Sequence, residues 1–534
     1  MATLALGACD AGFDGTPDAN QPPDTELSIR VGDLTETLDG RRLVSTVELA
    51  WSGTDPDGVV TAFEVRAYPV GGAMPAPEEG WNRTTRRDST LLLPIPQGNA
   101  QADVAVEVRA YDEEGAVDPE PARTVFPIVN SPPSFRLVDA EAPADTTWPV
   151  VSFAFAAADR DGEANLAGIE IALNDTTAGF VRLPSDATFV TLVAQNPRAA
   201  SETAAEVYLG RGFQNIGQTL PGLRLDAENT VYFRSVDQAG AQSPLSTFPA
   251  RDDEGVPVSS FYVRRVTSRV LLVNDYRAAG EANVLGVAEA GLAAHGLTTY
   301  DEWDLSETPQ NAAAPQFSDA LPATVDPTLR ETLALWDRIF WVSNAVTNRA
   351  SGNNLPRAAS AMSAFFDGGG RLLVYTPISF PLTADQETAN AAIDILPLSD
   401  LVEYPAGVRS LIARDGTPVV PVEEVPGTGR TLPPLQFTRF TTATIPYVPR
   451  PDDIVLYRTP VTIDVPPFDP FAGSTVVASM RSDRRTALVA LPLFAGPNPL
   501  LAPADGSTEG VAEAFAVLLE GLEFPTGVGR LARR

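Results

Sequence analysis

A motif that recurs at a fixed spacing constrains this chain's fold more than any other feature. Arg109-Ala110-Tyr111-Asp112, Gly115-Ala116 and Pro119 align without gaps on Arg234-Ser235-Val236-Asp237, Gly240-Ala241 and Pro244, 125 residues later. Upstream, Asp55-Pro56-Asp57-Gly58 matches Asp159-Arg160-Asp161-Gly162 at an offset of 104. Self-similarity of this kind means one structural unit built twice. The difference between the two offsets puts about twenty extra residues between the early and late strands of the second copy.

Within the first copy, β-rich runs over 46–51, 59–68, 89–95, 104–111 and 123–129 alternate with turn signals. Short runs with a period of two, bounded by Gly, Pro and Asp, build a sandwich of two antiparallel sheets. Ser131-Pro132-Pro133-Ser134 then breaks the chain, because proline lacks the N–H a ladder needs. The spacing therefore predicts one β-sandwich over 27–130 and a second over 131–260. A polar stretch over 10–26, rich in Asp, Gly, Pro and Asn, reads as a disordered linker.

Past the charged linker 251–257, the hydrophobic period changes. Val270-Leu271-Leu272-Val273 is a continuous apolar run, 281–295 is helical and closes at Gly296, and a strand follows near 298–303. The alternation continues with a helix over 328–336, the strand 338–342, a helix over 355–366, the strand 372–375, and finally a strand at 487–491 and a helix at 511–522. Continuous apolar strands separated by helices require a parallel sheet covered on both faces. The fold class expected is thus multidomain: two all-β immunoglobulin-like sandwiches followed by an α/β doubly wound parallel-sheet domain over 266–534. Residues 400–480 are Pro-rich and β-like, an insertion or extension of that domain.

Composition narrows the chemistry. The 38 basic residues are all Arg, against 69 Asp and Glu, for a net charge of −31. That field repels nucleic acid and anionic lipid. With no Lys, one His (His295) and one Cys (Cys9), the chain has no Schiff-base or P-loop lysine, no Cys/His zinc cluster and no disulfide. No cofactor is expected. His295 stands just before Gly296, where an imidazole suits the end of a helix and Gly supplies its cap. The Asp-x-Asp-Gly turns make Asp55, Asp57, Asp159 and Asp161 calcium candidates, since paired carboxylates suit a hard cation. Tight inter-strand turns call for the same residues, and that is the stronger reading, so no metal is assigned.

Leu6-Gly7-Ala8-Cys9, after a short apolar run, resembles a bacterial lipoprotein lipobox. The resemblance implies that residues 1–9 are the remnant of a signal, that the Cys9 thiol carries a lipid, and that the protein is anchored to the membrane of the cell envelope. The Trp-bearing strand 46–51, the Asp-x-Asp-Gly turn and the Val106-Glu107-Val108-Arg109-Ala110-Tyr111-Asp112 strand resemble bacterial fibronectin type III and related immunoglobulin-like modules. Phe153 and Phe155 occupy the strand that carries Trp51 in the first copy.

The run Phe365-Phe366-Asp367-Gly368-Gly369-Gly370-Arg371-Leu372-Leu373-Val374, with Ala490-Leu491-Pro492-Leu493-Phe494 later, resembles the class I glutamine amidotransferase-like superfamily over 269–380 and 486–524. The resemblance implies a flavodoxin-like sheet and, in active members, a Cys nucleophile after the strand ending here at Tyr375. Thr376-Pro377-Ile378-Ser379 stands there instead, so the expectation is a domain without catalytic residues. In open α/β sheets, ligands bind beyond the carboxyl ends of the strands. Those ends offer Asn274, Asp275, Tyr276, Ser343, Asn344 and Thr376 as a candidate crevice. The functional expectation is a lipid-anchored envelope or surface protein, non-enzymatic, presenting this domain to a protein, peptide or glycan. The alternative is a hydrolase using Asp275, Asp301 and Asp304, with or without a metal.

Overall fold

The computed structural model describes residues 19–29, 42–72, 74–276, 280–305, 321–344, 354–378, 392–504, 506 and 510–527. Cys9, the lipobox and most of the 10–26 linker lie outside the described residues, as does Ser379. Three apolar cores organise the chain.

In the first unit, strand Thr46–Thr54 obeys the period-two rule. Val47, Leu49 and Trp51 turn inward, and Glu48 and Ser52 face solvent. It runs antiparallel between Asp24–Ile29 and Asp88–Leu92. The facing sheet orders Leu43–Val44, Ala122–Val129, Gln101–Asp112, Val60–Pro69 and Asn82–Thr84. Trp51 meets Phe63 across the sandwich at 6.5 Å between ring centroids, and its indole N–H donates to the Arg86 carbonyl.

The second unit repeats this plan. Ser134–Leu137, Val150–Ala158 and Phe189–Ala194 form one sheet, and Val181–Leu183, Leu166–Leu173, Val231–Asp237 and Ser246–Phe248 form the other. The residues in excess over the first copy form a hairpin, Glu202–Leu209 and Gln214–Arg224, which extends the first of these sheets. Phe153 is fully buried and packs edge-on against Phe233, Phe248 and Phe261.

In the third unit, Val270–Asp275, Arg338–Ser343, Arg371–Tyr375 and Thr486–Val489 run side by side and parallel, with Asp301–Asp304 on the outer flank of the first. Counted along the chain, the spatial order of the five strands is 2-1-3-4-5. Every residue of Val270–Asp275 is buried, as a strand covered on both faces demands. Helices Glu281–Ala294 and Val511–Gly521 pack together where Gly291 admits Phe515, and Phe515 meets Phe340 at 5.3 Å. Beyond the fifth strand the sheet continues antiparallel through Val476–Met480, Ile454–Arg458 and Pro418–Pro421. The Pro-rich segment 400–480 therefore extends the sheet.

Two helices differ from expectation. The stretch 328–336 is helical only to Leu333, in the elements Val325–Leu329 and Arg330–Leu333. Trp336 leaves the helix to donate its indole N–H to Asp301 in the core. The helix expected over 355–366 divides into Leu355–Ser360 and Ser363–Asp367, and the break lets both Met362 and Phe365 reach the core. Among the described residues, no helix is long and apolar enough to cross a membrane.

Candidate functional site

The carboxyl ends of the first, third and fourth strands bring Asn274, Asp275, Ser343 and Thr376 to one edge, with Asp275 in register with Ser343. The edge lies at the point where strand order reverses, between the first and third strands. Asn274 is 1 % exposed; its Nδ2 donates to Glu281 Oε1 (2.8 Å) and Asp304 Oδ1 (3.1 Å). Asp275 is 2 % exposed and accepts from Asn354 Nδ2 (2.9 Å) and Trp341 Nε1 (3.3 Å). Tyr276 stacks on Tyr375 at 6.5 Å. Burial pushes both phenols up, so both are neutral at physiological pH. Asn344 follows Ser343 at the end of the third strand.

Thr376 is fully buried, and its Oγ1 has no hydrogen-bond partner among the described residues. None of Tyr375, Thr376, Pro377 and Ile378 has a positive φ. The strained turn that lifts a nucleophile out of a sheet is missing at this position.

The three carboxylates of the hydrolase alternative are not brought together. Asp304 pairs with Asn274 at the carboxyl end of the sheet, whereas Asp301 pairs with Leu271, three residues and about 10 Å back along the strand. Asp301 is 5 % exposed and accepts from Thr267 N, Thr267 Oγ1, Ser268 N and Trp336 Nε1. Its role is to hold the loop before the first strand. His295 caps helix Glu281–Ala294, with Gly296 at φ 88°, and its Nε2 lies 3.0 Å from the Phe524 carbonyl, far from Thr376 in the element order.

The Asp-x-Asp-Gly turns occupy equivalent ends of the two sandwiches. Asp161 is fully buried at the joint between them, where Ser45 N, Ser131 N and Ser131 Oγ donate to it. Asp159 accepts from Asp161 N and Asn165 Nδ2. At the outer end of the first sandwich, Asp57 takes Gln21 N and Asp55 takes Asp57 N. The structure adds Asn20 with Asp112, and Asn130 with Asp237, each pair 2.5 Å apart. The signal for these was a second repeat, Asn20-Gln21-Pro22-Pro23 against Asn130-Ser131-Pro132-Pro133.

No protein-family model matches the chain, and no curated protein matches it. Among solved structures, it is similar to the fibronectin(III)-like modules of Clostridium thermocellum CbhA, at 11% identity and a TM-score of 0.16, covering 45% of this chain and 94% of that one. It is also similar to the FN1-FN3 domains of chicken CNTN1, at 10% identity and a TM-score of 0.14, covering 42% and 96%. A Bacillus thuringiensis chitinase, ChiA74, matches at 12% identity and a TM-score of 0.14, covering 43% of this chain and 29% of that one. The chain is rich in β structure with fibronectin III-like neighbours, and its sandwiches are defined by the strand pairing described above.

Proposed function

We propose that this chain is a lipid-anchored protein of the bacterial envelope or surface, without enzymatic activity. Its two sandwiches space a doubly wound α/β domain of the amidotransferase-like kind, which binds a protein, peptide or glycan. The strand order 2-1-3-4-5 is one of the doubly wound orders, and ligands of such sheets sit at the reversal point, where Asn274, Asp275, Tyr276, Ser343 and Asn344 gather.

One observation carries the non-enzymatic reading. The stretch that would follow the strand in place of the nucleophile, Thr376-Pro377-Ile378-Ser379, offers no thiol, and its first hydroxyl, on Thr376, is 0 % exposed, out of reach of a substrate in solvent. Asp275 is tied to Asn354 and Trp341, which suits recognition of a polar ligand better than proton transfer.

Two measurements test the proposal. Expression of the full chain in bacteria with an alkyne-palmitate analogue should label the wild type and leave Cys9→Ser unlabelled; an unlabelled wild type, or label persisting on Cys9→Ser, defeats the anchor. Purified protein should turn over neither glutamine, esters nor glycosides. Turnover abolished by Thr376→Val would defeat the non-enzymatic reading.

A further inference from the structure

We propose that the joint between the two sandwiches is a divalent-cation site of the calcium type, and that the outer end of the first sandwich carries a second copy of it. The proposal is independent of the lipid anchor and of the crevice in the third unit.

The first support is that one constellation of oxygens is built twice. At the joint, Asn130 Nδ2 contacts Asp237 Oδ2 (2.5 Å), Ser131 N donates to Asp161 Oδ2 (2.7 Å), and Ala241 N donates to Asp237 Oδ1 (2.7 Å). At the outer end, Asn20 Nδ2 contacts Asp112 Oδ2 (2.5 Å), Gln21 N donates to Asp57 Oδ2 (3.1 Å), and Ala116 N donates to Asp112 Oδ1 (2.8 Å). An Asn-x-Pro-Pro lead-in, an Asp-x-Asp-Gly turn and the Asp that ends a late strand thus converge at the same end of each sandwich. A turn closing on itself needs one such Asp. Here three elements distant in sequence each bring an oxygen-bearing side chain to one place, two of them carboxylates.

The second support is charge. At the joint, Asp159, Asp161 and Asp237 are 8 %, 0 % and 2 % exposed. The groups that hold them are N–H and O–H dipoles from Ser45, Ser131, Asn165, Ala241 and Asn130. Burying carboxylates without an opposite charge is costly, and three together compound the cost. Their like charges also repel one another. A doubly charged ion offsets this repulsion, and Ca²⁺ accepts carboxylate, amide and backbone oxygens in flexible geometry.

The third support is an orphaned acceptor. Asn130 is 9 % exposed, and its Oδ1 is buried with no hydrogen-bond partner among the described residues, although the same amide touches Asp237 through Nδ2. Ser45, 1 % exposed and donating its N–H to Asp161, likewise has a buried Oγ without a partner among the described residues. Rotating the Asn130 amide would set its oxygen against the Asp237 carboxylate, an arrangement that only a cation between them makes favourable. Among the described residues, no three acidic, imidazole or thiol groups already stand in metal-holding geometry. The site proposed here mixes carboxylates with neutral oxygens, and the ion draws them together. Occupied, it locks the two sandwiches in a fixed relation; empty, it leaves the joint to contacts such as the hydrogen bonds from Ser45 N and Ser131 N to Asp161.

The test uses the full chain, stripped with EGTA and dialysed. Binding of radioactive Ca²⁺ is followed by equilibrium dialysis to about 10 mM, above the roughly 10⁻⁴–10⁻³ M range of extracellular modules. Ionic strength is held constant with NaCl, so that general screening of the acidic surface is common to all samples. We expect saturable binding of about two ions per chain and a rise of a few degrees in the sandwich melting temperature, as ligand linkage requires. Asp237→Asn should lose one ion and Asp112→Asn the other. Should Asp237→Asn fail to fold by circular dichroism, Asn130→Ala keeps all three carboxylates and should weaken one site at least about tenfold, the loss of one neutral ligand. No saturable binding by the wild type overturns the proposal. Binding that both Asp237→Asn and Asp112→Asn, or Asn130→Ala in place of the former, leave unchanged places the ion elsewhere and overturns it as well.

Discussion

Trp148 stands two residues before strand Val150–Ala158 of the second sandwich, yet its indole belongs to the core of the parallel-sheet unit. It is 3 % exposed, stands edge-on to Trp336 at 4.7 Å and to Trp303 at 6.2 Å, and lies under the Arg264 guanidinium at 4.4 Å. Around it, Ser152 Oγ meets Thr328 Oγ1 at 2.6 Å, and Arg198 donates to the Ser268 and Leu335 carbonyls. The indole therefore plugs one unit into the next. Burying an aromatic side chain removes roughly 150–250 Å² from water. At about 25 cal/mol per Å² that is about 4–6 kcal/mol, and truncations of buried aromatics to Ala cost about 3–5 kcal/mol. Trp148→Ala should lose an amount in the latter range, and all of it from the contact between units. Scanning calorimetry of the full chain should then separate transitions that the wild type shows together, with the parallel-sheet unit melting at lower temperature. Trp148→Phe, which keeps a ring against Trp336, should lose less than half as much. A Trp148→Ala thermogram superimposable on that of the wild type would refute the plug.

Three further outcomes follow from buried polar and packing contacts. Glu107, 5 % exposed, accepts from Arg66 and from the Tyr68 hydroxyl (2.6 Å) and lies 3.4 Å from Arg123. Glu107→Gln should destabilise the first sandwich by about 3–5 kcal/mol, the cost of leaving a buried partner charge uncompensated, read by urea denaturation. Burial pushes the Glu107 carboxyl up, but Tyr68, Arg66 and Arg123 outweigh it and leave it below its ordinary value. Its contribution is thus complete above the ordinary carboxylate range and disappears as pH falls through the lowered value, so Glu107→Gln should flatten the acid limb of the stability curve. Asp301→Ala should free the Thr267–Ser268 loop and orphan the buried Trp336 Nε1, at about 1–3 kcal/mol for the buried indole N–H left unpaired; unchanged stability in denaturant titration would contradict this. A Cβ on Gly291 would stand 2.6 Å from Phe515 Cβ, so Gly291→Ala should cost about 1–3 kcal/mol of overpacking despite its better helix propensity, measurable as a lowered melting temperature.

What the sequence made legible was local chemistry, and what it concealed was long-range pairing. The Asp-Gly turns and the alternation of Val47, Leu49 and Trp51 act over a few residues, so both sandwich patterns could be read, and the offset of the repeats anticipated the extra Glu202–Arg224 hairpin. The apolar run ending in Asn274-Asp275 likewise marked the end of a buried strand. Asp301 and Asp304 looked equivalent in one short strand, but only strand register reveals that they serve opposite ends of the sheet. Trp148 looked like one more sandwich residue because nothing near it in sequence records that Trp303 and Trp336 receive it. The same distinction explains the joint between sandwiches. An Asp-x-Asp-Gly turn is recognisable alone and reads as a tight inter-strand turn, whereas Asn130 and Asp237 lie 31 and 76 residues from Asp161. Once they are adjacent, the turn no longer explains itself. A turn aspartate bonds the backbone of its own turn, whereas Asp161 is 0 % exposed and bonded to two segments beyond its own turn. Three buried carboxylates where two modules meet are a demand for positive charge that a chain with no Lys answers only with Arg, and no Arg bonds to Asp159, Asp161 or Asp237 among the described residues. That unmet demand is what makes the joint, rather than the turn itself, the place to look for a cation.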